Sequence, residues 1–296
     1  MALSQLFPGF TRRFIQTDDA VATACLVGGT GSPILLLHGH PQTSAMWHRV
    51  APVLARQHSV VMADLRGYGD SGKPQGLPDH SNYTKRRMAH DQLRLMSELG
   101  FESFAVLAHD RGARVAHRLA MDAPTRVQRL VMLDVAPTLA MYEGTGEAFA
   151  RGYWHWFAYI QPGESPERFI RDNPSYIDEF MGARSAGLAP FDTVALSEYR
   201  RCVALPGAAH GICEDYRATA GLDLAMDRGD REAGIKLQPP AMVLWGEQGV
   251  VHQCFDPLLE WQRVASDVVG ECMPCGHYIA EEAPEALLER IAPFFA

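Results

Sequence analysis

Short, almost wholly apolar runs recur along this chain between longer stretches of helical spacing, and each run ends abruptly in polar residues. Ile34 to Leu37 stops at HGHPQ, SVVMADLRG ends polar, Phe104 to Ala108 stops at HDRG, and RLVMLDVAP and AMVLWG follow the same plan. A strand that is apolar on both faces needs cover on both faces, which a parallel sheet with crossover helices supplies. Helical spacing places the helices at Ser44 to Gln57, Tyr83 to Leu99, Ala113 to Met121, DPLLEWQRVA and a closing amphipathic EEAPEALLERIAPFF. Extended stretches over roughly 11 to 27 precede them.

The rhythm stops after Pro137. Residues 138–238 are rich in Tyr, Trp, Phe, Arg and Pro and contain no apolar strand, which reads as a helical cap inserted into a sheet domain made of 1–137 and 239–296. A length of 296 residues with 47% hydrophobic and 21% charged residues suits one large α/β domain with such an insertion. A net charge of -8, with no basic run longer than KRR at 85–87, argues against nucleic acid or an anionic membrane as a partner. No window approaches a membrane span and MALSQLFPGFTRRF lacks the pattern of a signal peptide, so a cytoplasmic protein is expected. The six cysteines at 25, 202, 213, 254, 272 and 275 are then expected to be buried free thiols. Cys272 and Cys275 form a CxxC, but no second pair or histidine set completes a zinc site, and no metal is expected.

In open parallel sheets ligands bind beyond the carboxyl ends of the strands. His38 to Gln42, Asp64 to Tyr68, Asp110, Asp134, Glu247 and His277 all fall there. Asp110, in HDRGA, occupies the strand-to-helix corner where a GxSxG elbow would carry serine, and the order nucleophile, acid, histidine is that of the α/β-hydrolase layout. An aspartate is already an anion at neutral pH and can attack a saturated carbon without a base. The resulting ester must be hydrolysed by activated water, which calls for a histidine, here His277 in CGHYIAEE. The carboxylate that orients His277 is Asp134, at the end of VMLD, or Glu247, in LWGEQG. Each residue alone has a structural reading, Asp110 as a helix N-cap above all. Their joint occurrence in order, on the required elements, favours the catalytic one.

HGHPQTSAMWHRV, ADLRGYGDSGKP, HDRGARVAHRLA and CGHYIAEEAP together resemble the α/β-hydrolase group that contains haloalkane dehalogenases and epoxide hydrolases. HDRGARV is most similar to the haloacetate dehalogenases, particularly the fluoroacetate dehalogenases. The resemblance implies a mostly parallel eight-stranded sheet with helices on both faces and a helical cap, and hydrolytic dehalogenation of haloacetates, fluoroacetate to glycolate and fluoride among them. It implies that Arg111 and Arg114 grip the substrate carboxylate, for which a planar guanidinium fork is suited. It also implies that His155, Trp156 and Tyr216 receive the departing halide, and that the backbone N–H groups of His40 and Arg111 form the oxyanion site. Tyr153, Trp154, Phe157 and Tyr159 around that pair read as packing. No cofactor is implied, the partner is a small haloacid, and the assembly is a homodimer. His40 stands where the family more often has Phe, which brings a titratable ring to the pocket. Two rival activities share the nucleophile: epoxide hydrolysis, with Tyr216 and one of Tyr142, Tyr153 or Tyr159 as ring-opening acids, and dehalogenation restricted to chloro-, bromo- or other small 2-haloacids. A non-catalytic sensor of small acids is disfavoured because nucleophile, acid and histidine are all present.

Overall fold

The computed structural model describes residues 2–18 and 21–296. Eight strands, β1 (Thr11–Asp18), β2 (Val21–Gly28), β3 (Ser32–Leu37), β4 (His58–Ala63), β5 (Phe104–His109), β6 (Val127–Leu133), β7 (Ala241–Gly246) and β8 (Val268–Met273), form one sheet. Their order is β1-β2-β4-β3-β5-β6-β7-β8. The β1/β2 and β2/β4 pairs are antiparallel and the other five are parallel. Ile34 to Leu37, Val60 to Ala63 and Val106 to Ala108 are buried, as doubly covered strands must be.

The helices depart from the sequence expectation at their starts. Ser44 to Gln57 is not one helix but a 3-10 turn, Ser44–Trp47, and a short helix, Ala51–Leu54. Pro52 has no N–H to donate, so it opens a helix where it stands and cannot sit inside a longer one. The next helix runs Lys85–Glu98, with Thr84 accepting the Arg87 N–H at 3.2 Å as its cap. The one after the elbow begins directly at Arg111 and ends at Asp122. Four of the six free cysteines are buried as expected, but Cys254 is half-buried and Cys272 exposed, the latter on the edge strand β8. No described helix is long and apolar enough to cross a membrane.

Between β6 and β7 the described residues form helices, from Thr138–Glu143 to Leu224–Glu232, and no strand. One of them, Ala208–Ala218, lies directly on the loop after β4: a Cβ on Gly211 would sit 2.7 Å from Gly67 Cα, so neither position has room for a side chain. That close approach brings Asp215 down onto the sheet unit. Its carboxylate accepts from Arg111 Nε at 2.7 Å and Nη2 at 2.8 Å, from the Tyr68 hydroxyl at 2.8 Å, and pairs with Lys85. All four side chains are buried. Burial opposes ionisation of Asp215, but Arg111 and Lys85 hold it well below the usual carboxylate range. The KRR run is thereby accounted for by acids, Lys85 by Asp215, Arg86 by Asp122 at 2.7 Å and Arg87 by Asp18.

Removing one partner of a buried ion pair strands the other charge, at a cost of about 3–5 kcal/mol. Asp215→Asn, which strands two cations, is expected to lower the unfolding free energy by that order, read as a fall in the urea midpoint, while Asp172→Asn at an exposed pair leaves the midpoint unchanged. Equal midpoints for the two variants would contradict the ionic junction.

Candidate active site

Asp110 turns the chain from β5 into the helix Arg111–Asp122 with φ 46° and ψ -113°, a conformation that costs an L residue strain. Its side chain does not cap that helix. Instead Oδ1 accepts the backbone N–H of His40 at 2.9 Å, so the loop after β3 reaches across to the elbow. Burial opposes ionisation of this carboxyl, but the imidazoles of His277 and His109 and the guanidinium groups of Arg184 and Arg114 hold it well below the usual carboxylate range.

His277 lies in the loop after β8. Its Nδ1 donates to Asp134 Oδ2 at 2.5 Å, and its Nε2 is buried without a partner. Asp134, at φ 49° past the end of β6, also accepts the Gly246 N–H at 3.0 Å. Glu247 is exposed, so of the two acids left open by the sequence it is Asp134 that meets the imidazole. Burial, aided by Arg184, pushes the His277 pKa well below its ordinary value, and burial pushes Asp134 up to about 7. Three contacts fix the imidazole's loop: His109 Nε2 to the His277 carbonyl at 2.9 Å, and Glu282 accepting the N–H groups of Gly276 at 2.8 Å and Tyr278 at 2.9 Å.

The two arginines behind Asp110 are buried rather than exposed. Arg111 gives its fork to Asp215, and Nη2 also reaches Thr219 Oγ1 at 2.6 Å in the π-helical turn Thr219–Asp223. This corrects the expectation of a forked grip on substrate: only Nη1 of Arg111 is buried and unpartnered. Arg114 spends Nη1 on Thr138 Oγ1 at 2.8 Å and the Ala136 carbonyl at 3.3 Å, leaving Nε unpartnered. What each arginine still offers is one wholly unpartnered nitrogen, Nη1 on Arg111 and Nε on Arg114.

The helical insertion brings further groups to the same place. The Arg111 guanidinium lies 4.0 Å from the Tyr216 ring centre and that of Arg114 lies 4.6 Å from Trp156. Trp156 Nε1, Tyr216 OH and His155 Nδ1 are all buried and unpartnered. A buried polar atom without a partner costs about 1–3 kcal/mol, and native proteins contain few of them. So many aimed into one region point to a ligand that satisfies them. The imidazole of His40 faces Tyr176, with Nε2 2.7 Å from its hydroxyl, which in turn bonds Tyr159 at 2.6 Å. Burial lowers the His40 pKa to about 3, so the ring is neutral near pH 7 rather than titrating there.

A cavity of about 500 Å³ opens beside these groups, lined by His155, His277, Tyr153, Phe180 and Arg184 among others. Trp154, expected to pack, is 41% exposed and also borders the cavity. Arg184 and Asp215 carry no motif, because each acts through partners distant in sequence. Asp70, Glu198 and Cys202 converge elsewhere, but Arg201 bonds all three and already supplies the positive charge a metal would bring.

Residues 32–249 match the alpha/beta hydrolase fold family. A fluoroacetate dehalogenase from a Burkholderia species is 44% identical over 95% of this chain and 92% of its own length. The soluble epoxide hydrolase of Corynebacterium sp. (strain C12) is 34% identical over 92% of each. Among solved structures, an alpha/beta hydrolase from Nostoc sp. PCC 7120 superposes with a TM-score of 0.93 at 47% identity, covering 96% of this chain and 97% of the other. With an eight-stranded sheet, an aspartate at the elbow and matches of this extent, the chain belongs to the alpha/beta hydrolase fold family.

Proposed function

We propose that the protein hydrolyses the carbon–halogen bond of small 2-haloacids, haloacetates including fluoroacetate, by way of an ester on Asp110. The similarity to a fluoroacetate dehalogenase supports the reaction class. The observation that carries the reading is the set of buried, unpartnered donors beside the elbow: Arg111 Nη1 and Arg114 Nε for a carboxylate, His155, Trp156 Nε1 and Tyr216 OH for a halide. A leaving fluoride concentrates charge on one small atom, and preorganised N–H and O–H donors in a water-poor site stabilise it as it develops.

In this reading Asp110 forms a bond to the α carbon as the halide leaves with its electron pair. The other carboxyl oxygen is already held by the His40 N–H, the position an oxyanion takes when water adds to the ester. His277 Nε2 takes the proton of that water while Asp134 steadies the imidazolium. Collapse returns the aspartate and releases a 2-hydroxyacid. The sheet unit, 1–137 and 239–296, would carry the covalent chemistry and the insertion, 138–238, the halide contacts. A cytoplasmic homodimer belongs to the same proposal.

The epoxide hydrolase at 34% identity keeps a second reading in view. Of the phenols it would use, Tyr216 and Tyr142 have free buried hydroxyls, while Tyr159 is bonded to Tyr176. Neutral epoxides would leave the arginine N–H groups unsatisfied, which favours the haloacid. Turnover of styrene oxide without halide release from chloroacetate would reverse that choice.

Asp110→Asn is expected to lower halide release from fluoroacetate and chloroacetate by about three orders of magnitude or more. His277→Asn is expected to release one halide per enzyme and stop, with the ester seen as added protein mass; steady turnover by this variant would displace His277 as the base. A pH signature follows from the two carboxyls. Asp110 stays ionised far into acid, whereas Asp134 takes up a proton as pH falls through about 7 and withdraws support from the imidazolium. Single-turnover measurements should therefore show ester formation flat with pH and ester breakdown rising through about pH 7, so that ester accumulates on the acid side.

A further inference from the structure

The Arg184 side chain reaches the cavity from the irregular segment between the helices Tyr176–Gly182 and Thr193–Val203. Its guanidinium carbon lies 4.7 Å from the Tyr153 ring centre and 5.2 Å from that of Phe180, so two aromatic faces hold it in place. Its Nη2 is out of contact with solvent and has no hydrogen-bond partner. Among the described residues no carboxylate forms an ion pair with it. Every other arginine near the elbow has its charge or its fork engaged, Arg111 by Asp215 and Arg114 by Thr138 and a carbonyl. Asp110 is near enough for this cation to help keep it ionised, but no anion is bonded to Nη2, and Arg184 lines a cavity shared with His155 and His277.

Position separates Arg184 from the other two. Arg184, His155 and His277 line the cavity, whereas Arg111 and Arg114 are not among its lining residues. A haloacetate has only a handful of non-hydrogen atoms, and cavities of several hundred Å³ hold far larger molecules. At the α carbon, attack by Asp110 opposite the halide and a carboxylate toward Arg111 and Arg114 leave two further substituents, one of which can extend while the other is hydrogen.

We propose that Arg184 receives the second carboxylate of a substrate larger than haloacetate, so that the site is built for 2-halodicarboxylic acids of which 2-chlorosuccinate is the simplest probe. This inference rests on the dehalogenation reading above. The chemistry is unchanged: the Asp110 oxygen bonds to C2 as halide leaves, water deprotonated by His277 adds to the Asp110 carboxyl carbon, and the bond from that carbon to the substrate oxygen breaks to release a 2-hydroxydicarboxylate. Glu179, a carboxylate lining the same cavity, is exposed and accepts from Asn173 Nδ2 at 3.0 Å, and it forms no ion pair with Arg184.

The test compares halide release from 2-chlorosuccinate and 2-chloropropionate, which carry the same substitution at C2 and differ in the second carboxylate. The wild type should favour 2-chlorosuccinate in kcat/KM by about ten- to a hundredfold, the range for one hydrogen bond to a charged group. Arg184→Gln should abolish that preference chiefly through KM, and Arg184→Lys should restore part of it. No preference in the wild type, or equal losses on both substrates in Arg184→Gln, overturns the proposal. Should Arg184→Gln not fold, Arg184→Lys alone is read against the same ratio, and an unchanged ratio with normal fold overturns it. If the wild type releases halide from chloroacetate but from neither of these acids, the proposal is overturned while the dehalogenation reading stands; if it releases none from chloroacetate either, that reading fails, and calorimetry then tests Arg184 separately: succinate binding tighter than acetate binding, lost in the Arg184 variants, upholds the anion site, and equal binding removes it.

Discussion

The buried pairing of Asp215 with Arg111 and Lys85 is the interaction on which the site depends. It joins a helix of the insertion to the residue next to the elbow, and so fixes how the roof sits on the sheet. Tyr216, the next residue in that helix, thereby lands over the Arg111 guanidinium. An ion pair of this kind is weak as a source of net stability and strong as a constraint, because every other arrangement leaves a charge in a low-dielectric interior. The contact of Gly211 on Gly67 is its steric counterpart.

Around that junction the strain is concentrated where chemistry is expected. Asp110 and Asp134 both hold positive φ, each at the carboxyl end of a parallel strand, and each has its carboxylate tied by a backbone N–H, from the loop after β3 for Asp110 and from the last residue of β7 for Asp134. The sheet holds them there through paired neighbours, β5 between β3 and β6, and β6 between β5 and β7. Rigid strands thus present two strained corners side by side, and the loop after β8 brings His277 to one of them.

The sheet was legible because strands covered on both faces must be apolar throughout, as Leu35 to Leu37 and Val106 to Ala108 are. Helix starts were less so: a single proline, Pro52, splits one expected helix, and the elbow begins another two residues before its apolar spacing does. Asp110, Asp134 and His277 could be placed together because the first two fall at strand ends and the third in the loop beyond β8, in a known order. Arg184 and Asp215 could not, since what sets them apart is a partner gained or lacking at long range. The side chain of Arg111 shows the limit most plainly. Its position beside the nucleophile suggested a fork turned to substrate, and only the fold reveals an aspartate 104 positions away already occupying it.

That occupied fork bears on what happens after the reaction. A guanidinium with its full charge and both parallel N–H groups open would clasp an acid product as firmly as an acid substrate, and each turnover would end in a slow escape. With its fork taken by Asp215, Arg111 contributes direction through Nη1 alone and offers no bidentate clasp. On the proposed reading, orientation and retention are uncoupled: the molecule is aimed while it is being transformed and let go once it has been.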